Sequence, residues 1–343
     1  MKKVGILLVN LGTPNTPERS SVRKYLTEFL MDNRVIDIPY WKRSLLVKGV
    51  IAPFRSKHVA KEYKKLWGED GGPLLVHGRS LEKKLNEMYR SAGIQVTVQL
   101  AMRYQNPSIQ AGLEALREEQ VEKIVVFPLF PQYASATTGS VAQKVMEVVS
   151  TWQVIPSMEF INSYHTHPLY IDAFVEKVKK DIEKYKPEHV LFSYHGVPER
   201  HITKLNKEVR RKNNPYDYKV ACKETSDLIA DKLGLSRPSY TTSFQSRLGK
   251  DPWIKPYTDA TIESLAQAGT KNLLVVSPSF VADCLETTLE IGEEYRELFE
   301  SLGGQKFHFT ESLNDDEQWV EAIFNIINIK NSNRLSVSKI HAA

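Results

Sequence analysis

Short apolar runs alternate with longer segments of helical periodicity along nearly the whole chain, and this alternation is the strongest constraint on the fold. The strand candidates are residues 4–11, 96–103, 123–130, 158–163, 189–194, 239–245, 272–280 and 306–310. Helical patterns fill the intervals, for example at 169–185 and 287–302. Continuously apolar strands that alternate with helices are typical of parallel sheets covered on both faces. The sequence therefore predicts an α/β protein.

The two halves of the chain resemble each other. The segment GILLVNLGTP (5–14) is similar to HVLFSYHGVP (189–198), and 123–140 is similar to 272–290. A chain of 343 residues is long enough for two ordinary domains. We therefore expect two similar Rossmann-like domains at 1–163 and 164–314, each a four-stranded parallel sheet flanked by helices. A C-terminal helix at about 315–330 could pack back on the first domain, and 331–343 is expected to be a loose tail.

Composition excludes several classes of protein. With 41% hydrophobic and 25% charged residues, the chain is typical of globular rather than disordered proteins. No apolar run approaches the roughly 20 residues that span a bilayer, and the apolar N-terminus continues into GTPNTPERS without a small-residue cleavage site. The two cysteines, Cys222 and Cys284, cannot form a disulfide framework or a four-cysteine cluster. We therefore expect a cytoplasmic protein.

Basic residues cluster in one segment, although the net charge of the whole chain is only +5. Between Trp41 and Trp67 there are eight Lys and Arg residues and one Glu, interleaved with apolar and aromatic side chains. Such a mixture suits an anionic apolar ligand or a membrane surface. It is equally typical of an amphipathic helix pair with a basic outer face.

An acidic stretch, FVADCLETTLEIGEEY (280–295), follows the apolar run at 272–280. Glu286, Glu290 and Glu294 are four residues apart, so they share one face of a helix, where like charges repel by a few tenths of a kcal/mol. A solvated helix face is the ordinary explanation of such a pattern. Ligands of parallel sheets, however, bind beyond the carboxyl ends of the strands, where this stretch lies.

A histidine ends another predicted strand. His195 begins the turn HGVP (195–198), whose Gly and Pro would hold it rigidly. If the sheet order brings the strands together, His195 and Glu286 face each other across one cleft. Such a pair can bind a divalent cation or accept protons, whereas a structural, hydrogen-bonded histidine is the alternative.

Fingerprints of three common enzyme classes are absent from the sequence. The first strand is followed by one glycine and then by Thr-Pro, not by the G-x-G-x-x-G of dinucleotide enzymes. Neither a G-x-x-x-x-G-K-[ST] loop nor a G-x-S-x-G turn occurs. These absences argue against a dehydrogenase, a P-loop enzyme and an α/β hydrolase.

Five motifs occur together and in order: LLVNLGTP (7–14), FPLFPQYASATTGS (127–140), LFSYHGVP (191–198), SFQSRLGKDPW (243–253) and PSFVADCLETTLE (278–290). Over roughly residues 3 to 325 the chain resembles the ferrochelatase family, whose members insert Fe²⁺ into a porphyrin in the last step of haem synthesis. The resemblance implies a lyase that takes a porphyrin and Fe²⁺ as substrates. It implies no prosthetic group and no nucleic acid partner.

The resemblance also implies roles for individual residues. His195 and Glu286 would face the porphyrin centre as the catalytic and metal-binding pair, without a decision on which accepts protons. A path for metal or protons would use Glu290, Glu294, Asp283, Arg103 and Tyr104. The porphyrin would contact Leu11, Phe29, Leu30, Arg55, Tyr63, Tyr133, Ser246 and Trp253. Relatives often have a locally widened helix after Glu286, which Gly292 would permit.

Departures from the family pattern narrow the expectation. Cys284 stands where some relatives have histidine, and an inert buried thiol is favoured over a ligand for soft metals. Two cysteines exclude the four-cysteine iron–sulfur cluster of some relatives. Leu11 stands where the branch that metallates coproporphyrin tends to have tyrosine, which favours protoporphyrin IX. Alternatives are a coproporphyrin III ferrochelatase, a cobalt or nickel chelatase of another tetrapyrrole, and a porphyrin or haem carrier. A monomer or weak dimer is expected, and a peripheral membrane contact is compatible with the basic segment.

Overall fold

The computed structural model describes residues 3–209, 214–247, 249 and 251–328, and the tail expected at 331–343 lies outside this part. The strands in it are β1 (Val4–Gly12), β2 (Val96–Tyr104), β3 (Lys123–Pro128), β4 (Ser157–Phe160), β5 (His189–His195), β6 (Tyr240–Gln245), β7 (Asn272–Val276) and β8 (Lys306–Thr310). All eight predicted strands are therefore confirmed. The largest error is at β7, which ends at Val276 and not at residue 280.

Helices fill the intervals, and three of them contain wide π turns. The α-helices are α1 (Arg19–Leu30), α2 (Tyr40–Ser44), α3 (Ala52–Leu66), α4 (Pro73–Ser91), α5 (Ile109–Glu118), α6 (Ser140–Val149), α7 (Pro168–Tyr185), α8 (Glu199–Val209), α9 (Tyr218–Lys232), α10 (Thr258–Gln267), α11 (Arg296–Ser301) and α12 (Glu317–Ile327). The π-helices are π1 (Leu45–Ile51), π2 (Ser135–Gly139) and π3 (Glu286–Tyr295). Local signals set several starts: Pro168 opens α7, and the carboxylate of Asp217 accepts from the Val220 amide at the start of α9.

The strands form two four-stranded sheets of the same design. Their orders are β2-β1-β3-β4 and β6-β5-β7-β8, and all pairs are parallel. This arrangement confirms the predicted fold class. In each sheet the first strand of the half lies between the second and the third, so the loops after β1 and β5 begin at central strands, where ligands of such sheets bind.

One hydrophobic core joins the two sheets. Ile6 and Leu8 of β1 point into the same buried cluster as Phe192 of β5 and Trp319 of α12. The other face of β1 packs into a separate cluster with α5 and α6. Helix α12, the last helix in the described part of the chain, packs against both α7 and α4. It thereby returns to the first half. Because both halves bury side chains in one core, they are held in a defined relative position.

The carboxyl end of β1 packs tightly against β2. Gly12 has a φ of +118°, and a Cβ placed there would lie 2.0 Å from the carbonyl oxygen of Tyr104. Only glycine fits this conformation and this close approach. Gly12 therefore fixes the backbone at this end of β1, next to Leu11.

Candidate active site

Polar side chains converge at the carboxyl edge of the second sheet. His195 ends β5, and Gln245, which is paired with it in register, ends β6. Strand β5 also pairs with β7, after which π3 begins with Glu286. Strands β5 and β7, which carry His195 and precede Glu286, are therefore neighbours in the sheet. This was the condition under which the sequence predicted that the two residues face each other.

The imidazole of His195 is held in one orientation. Its Nδ1 lies 2.7 Å from the carbonyl oxygen of Gly196. A carbonyl oxygen only accepts, so Nδ1 carries the proton, and Nε2 of the neutral ring is left as an acceptor. The rings of Trp253 and Phe280 have their centroids 6.2 Å and 6.5 Å away. The ring of His195 is therefore held beside two aromatic rings, with Nε2 left out of the hydrogen bond to Gly196.

Glu286 is half-buried at the start of π3 and lies against the first half of the chain. Burial raises the pKa of Tyr63 well above its ordinary value, and the charge of Glu286 raises it further. Burial, with smaller contributions from Tyr63 and Glu286, raises the pKa of Tyr25 in the same way. The carboxylate of Glu286 thus faces neutral phenols of α1 and α3, and this places it between the two halves.

Gln245 links the elements that carry His195 and Glu286. Its side chain is buried, with the residue only 1% exposed, and its Oε1 accepts from Ser193 Oγ at 2.6 Å. Its Nε2 donates to the carbonyl oxygen of Glu286 and to Oε2 of Glu290, both at 3.1 Å. Gln245 was not among the predicted site residues. The signal that could have found it is a polar residue at the carboxyl end of a buried strand, inside a recognised motif.

Helix π3 shows the local widening expected beside Gly292, and this confirms that expectation. Within it, Glu290 accepts from Ser246 Oγ at 2.6 Å and from the Tyr295 hydroxyl at 3.0 Å, in addition to Gln245. An open cavity of about 220 Å³ adjoins Glu290, Ser246 and Tyr295. Three donors thus fix the Glu290 carboxylate at the edge of a water-accessible space.

The outer glutamates of π3 differ in their surroundings. Partial burial raises the pKa of Glu294, and the charges of Glu290 and Glu62 raise it further. Glu293 instead pairs with Lys65 of α3 at 2.7 Å. Since Glu294 is exposed while Glu290 is half-buried, the carboxylates of Glu286, Glu290 and Glu294 extend outwards from the cleft.

Asp283 is turned towards the loop after β8. Its Oδ1 accepts from Thr287 Oγ1 at 3.1 Å and from the Ser312 amide at 3.2 Å, and its Oδ2 accepts from Asn314 Nδ2 at 2.8 Å. These contacts join the start of π3 to β8. For Cys284, burial raises the pKa well above the ordinary range and the charge of Glu286 raises it further, so the thiol stays protonated.

Arg103 and Tyr104 belong to a second polar cluster, at the edge of the first sheet. Oδ2 of the buried Asp32 accepts from Arg103 Nη2 at 2.7 Å, from the Tyr104 hydroxyl at 2.9 Å and from Ser140 Oγ at 2.5 Å. Asp32 was not among the predicted residues. Arg103 and Tyr104 are thus brought together, but their side chains bond to Asp32 and not to the glutamates of π3.

The predicted porphyrin contacts are spread along the edges of both halves. Leu11 is half-buried near the end of β1, and Phe29 stacks on Tyr25 with ring centroids 6.1 Å apart. Leu30 is buried in the interior, whereas Arg55 is exposed on α3.

The four other predicted contacts lie in tightly packed aromatic groups, beside Glu290 or beside His195. Tyr133 packs edge-on against Tyr216 at 5.0 Å, and Tyr63 is buried between Tyr25 and Trp67. Ser246 donates to Glu290, and Trp253 lies beside His195. The structure therefore brings Trp253 and Ser246 to the His195–Glu286 site. It places Leu30 in the core.

Comparisons with known proteins agree with this architecture. The sequence model of the family Ferrochelatase matches residues 3–331. Ferrochelatase 2 of Shewanella oneidensis is 41% identical over 95% of this chain and 97% of its own length. The ferrochelatase of Legionella pneumophila (strain Corby) is 43% identical over 94% and 98%.

Among solved structures, SirB from Bacillus subtilis with Fe³⁺ aligns with a TM-score of 0.57 at 12% identity, covering 97% of this chain and 98% of SirB. A likeness at this identity concerns the fold alone. The match of the family model over nearly the whole chain, with relatives above 40% identity, carries the assignment. The chain belongs to the ferrochelatase family.

Proposed function

We propose that this protein inserts Fe²⁺ into protoporphyrin IX to form protohaem, as the lyase of the last step of haem biosynthesis, with no resident prosthetic group. The family assignment supports the reaction class. The observation that carries the proposal is the orientation of His195, whose Nδ1–H is committed to the Gly196 carbonyl so that Nε2 is available as an acceptor. A porphyrin carrier would not need such a group.

The reaction replaces two pyrrole protons with one Fe²⁺, so free porphyrin and Fe²⁺ give iron porphyrin and two protons. In this proposal Nε2 of His195 accepts protons at the porphyrin centre, since imidazole is an effective base near neutral pH. The carboxylate of Glu286 is a hard ligand for Fe²⁺ as it loses water, and it can also accept a proton.

The outer glutamates of π3 provide the route between this pair and solvent. Glu290 is fixed by Gln245, Ser246 and Tyr295, and Glu294 is exposed. The raised pKa of Glu294 brings its protonation nearer to neutral pH, which suits a group that passes protons outwards or receives hydrated Fe²⁺. Asp283 acts indirectly in this proposal, because its hydrogen bonds hold the start of π3 in position.

The porphyrin itself needs apolar walls and partners for two propionates. Trp253 beside His195 and Phe29 beside Tyr25 supply aromatic surface on the two sides of the cleft. Exposed Arg55 suits a propionate, and Leu11 near the end of β1 is the position expected to distinguish protoporphyrin IX from coproporphyrin III. Arg103 and Tyr104 would line the first half of the cleft through their cluster with Asp32.

We further propose that this cytoplasmic protein, a monomer or weak dimer, touches membranes through its basic segment. Trp41, Leu45 and Phe54 are 65%, 69% and 76% exposed on α2, π1 and α3, among lysines and arginines. Exposed aromatic and apolar side chains with basic neighbours favour an anionic bilayer surface. In the part of the chain that the structure describes, no helix is both long and apolar enough to cross a bilayer.

The test is anaerobic insertion of Fe²⁺ into protoporphyrin IX and, in parallel, coproporphyrin III, followed by loss of free-porphyrin fluorescence. Faster turnover of protoporphyrin IX is expected, and the Leu11→Tyr variant should shift the preference towards coproporphyrin III. A preference of the wild type for coproporphyrin III would overturn the choice of substrate. Insertion of Co²⁺ or Ni²⁺ but not Fe²⁺ would overturn the choice of metal, and tight porphyrin binding without turnover would indicate a carrier.

A further inference from the structure

A network of ion pairs joins the first half of the chain to the helix that follows His195. Asp37, in the segment between α1 and α2, accepts from Arg200 Nε at 2.9 Å and also pairs with Arg200 Nη2 and Lys204 Nζ. His201 Nε2 lies 3.5 Å from the same carboxylate. A single carboxylate of the first half thus meets three side chains of α8.

The segment that carries Asp37 is firmly held in the first half. Asp32, at its start, accepts from the Arg34 amide at 2.7 Å and from the Arg103 cluster. The buried Arg43 donates to the carbonyl oxygens of Ile36 and Ile38, both at 3.0 Å. The carboxylate of Asp37 is therefore presented from a fixed backbone.

Helix α8, in contrast, has no fully buried residue along Glu199–Val209, and its contact with the main core is made by the partly buried Ile202, so polar contacts carry much of its attachment. It begins four residues after His195, directly after the HGVP turn. Arg200 also pairs through Nη1 with Asp251, two residues before Trp253. One guanidinium thus connects the first half of the chain with both segments that carry His195 and Trp253.

Burial alone would raise the pKa of Asp37, but hydrogen bonds from Arg200 and Lys204 outweigh it and lower the pKa well below the ordinary range. The side chain of Asp37 is 16% exposed, so solvent screens this pair less than an ordinary surface pair. The basic partners Arg200 and Lys204 are more exposed, at 35% and 64%, so Asp37 is the more shielded member of each pair.

We propose that Asp37 is a positioning residue, which through Arg200 and Lys204 fixes α8 and thereby holds His195 and Trp253 against the first half while the porphyrin is bound. The inference rests on the proposed function, because it assigns the site on which the contact acts. Loss of the contact should make α8 more mobile and the position of the His195 side chain less well defined. The hydrophobic core should not change.

The test compares Asp37→Asn with Asp172→Asn, which breaks an exposed pair with Lys232 between α7 and α9, away from the site. For Asp37→Asn, kcat/KM for the porphyrin should fall at least about tenfold, since a misplacement of about 1 Å can cost on the order of 100-fold. Amide hydrogen exchange of α8 should accelerate, while the KM for Fe²⁺ stays unchanged. Asp37→Glu should restore much of the activity, and Arg200→Gln should lower it at least as much as Asp37→Asn, because it also removes the pair with Asp251.

Faster exchange of α8 with unchanged kcat/KM would overturn the proposal, and so would a loss of activity explained entirely by a lower melting temperature. Unchanged exchange of α8 would overturn it at the structural level. If the wild-type protein inserted no metal into any porphyrin, the proposed function would fail, and with it the catalytic role of Asp37. The exchange experiment would then still report whether Asp37 holds α8.

Discussion

The side-chain amide nitrogen of Gln245 lies 3.1 Å from Oε2 of Glu290 and 3.1 Å from the carbonyl oxygen of Glu286. A buried residue of β6 thereby restrains both ends of the first turn of π3. Because Gln245 also pairs in register with His195, the three proposed active residues share one rigid support. The wide turn of π3 is thus tied to the sheet at the point where the chemistry is proposed.

Replacing Gln245 by leucine should damage both stability and activity. Ser193 Oγ would lose one partner and keep Thr258. The Glu290 carboxylate would lose one partner and keep Ser246 and Tyr295. The lost bonds are worth about 0.5–1.5 kcal/mol for the neutral pair and about 1.5–3 kcal/mol for the bond to the carboxylate. We expect a lower melting temperature by calorimetry and at least about tenfold slower metal insertion, on the scale of a misplaced catalytic group. The control is Gln110→Leu, which removes only an exposed bond to Glu114 on α5. Equal behaviour of the two variants would contradict this account.

Gly12, the last residue of β1, should not tolerate a side chain. Gly12→Ala would place Cβ 2.0 Å from the Tyr104 carbonyl oxygen at a φ of +118°, so we expect a loss of about 3 kcal/mol or more in the free energy of unfolding. Gly269→Ala is the matched control, because Gly269 also has a positive φ but no atom within 4 Å of the added Cβ. It should cost only about 1–2 kcal/mol, as measured by urea unfolding.

Acid should weaken the attachment of α12 to α4. Burial alone would raise the pKa of Asp315, but hydrogen bonds from Ser80, His77 and Lys84 outweigh it and lower the pKa well below the ordinary range. A depressed pKa in the folded state gives stability that is present above the unfolded pKa of about 3.9 and is lost as the pH falls further.

Asp315→Asn should therefore lower the melting temperature clearly at pH 7, and the difference from wild type should shrink as the pH falls below about 4. Asp316→Asn, next to it and paired with Lys177, tests whether any acid at this position behaves alike. A difference between wild type and Asp315→Asn that is independent of pH would contradict the assignment.

Membrane binding should depend on the exposed residues of the basic segment. The double variant Trp41→Ser and Phe54→Ser should reduce sedimentation with anionic vesicles severalfold, since each side chain contributes about 1–3 kcal/mol when buried. Val154→Ser, at a residue that is 81% exposed outside this segment, should have no effect. Wild-type protein that stays in solution with anionic vesicles would show that this surface does not bind them.

Strands β1, β3 and β7 were predictable from the sequence because both faces of a parallel sheet are buried there, so each is a nearly continuous apolar run. The end of β7 was misplaced for a related reason: the residues after Val276 remain partly apolar although they leave the sheet. His195 ends β5, and Glu286 opens π3 after the loop that follows β7. The rule that ligands bind beyond the carboxyl ends of parallel strands pointed to both residues, and the family resemblance implied their roles. Whether the two residues lie near the ends of neighbouring strands then depended only on the order of the strands.

Asp32, Gln245 and Asp37 were not predicted, and the reason is the separation of their partners. Asp32 pairs with Arg103 71 residues later, Gln245 with Glu290 45 residues later, and Asp37 with Arg200 163 residues later. Periodicity reports which face of an element is buried, but it carries no information about which polar groups meet across the fold. Only the packed structure supplies those pairs.

The most direct test compares wild type with His195→Ala in anaerobic single-turnover insertion of Fe²⁺ into protoporphyrin IX, together with a titration of porphyrin binding. The account predicts that wild type converts the bound porphyrin, whereas His195→Ala binds it with similar affinity and converts it at least about 100-fold more slowly. Unchanged turnover in His195→Ala would contradict the central claim that Nε2 of His195 accepts the porphyrin protons.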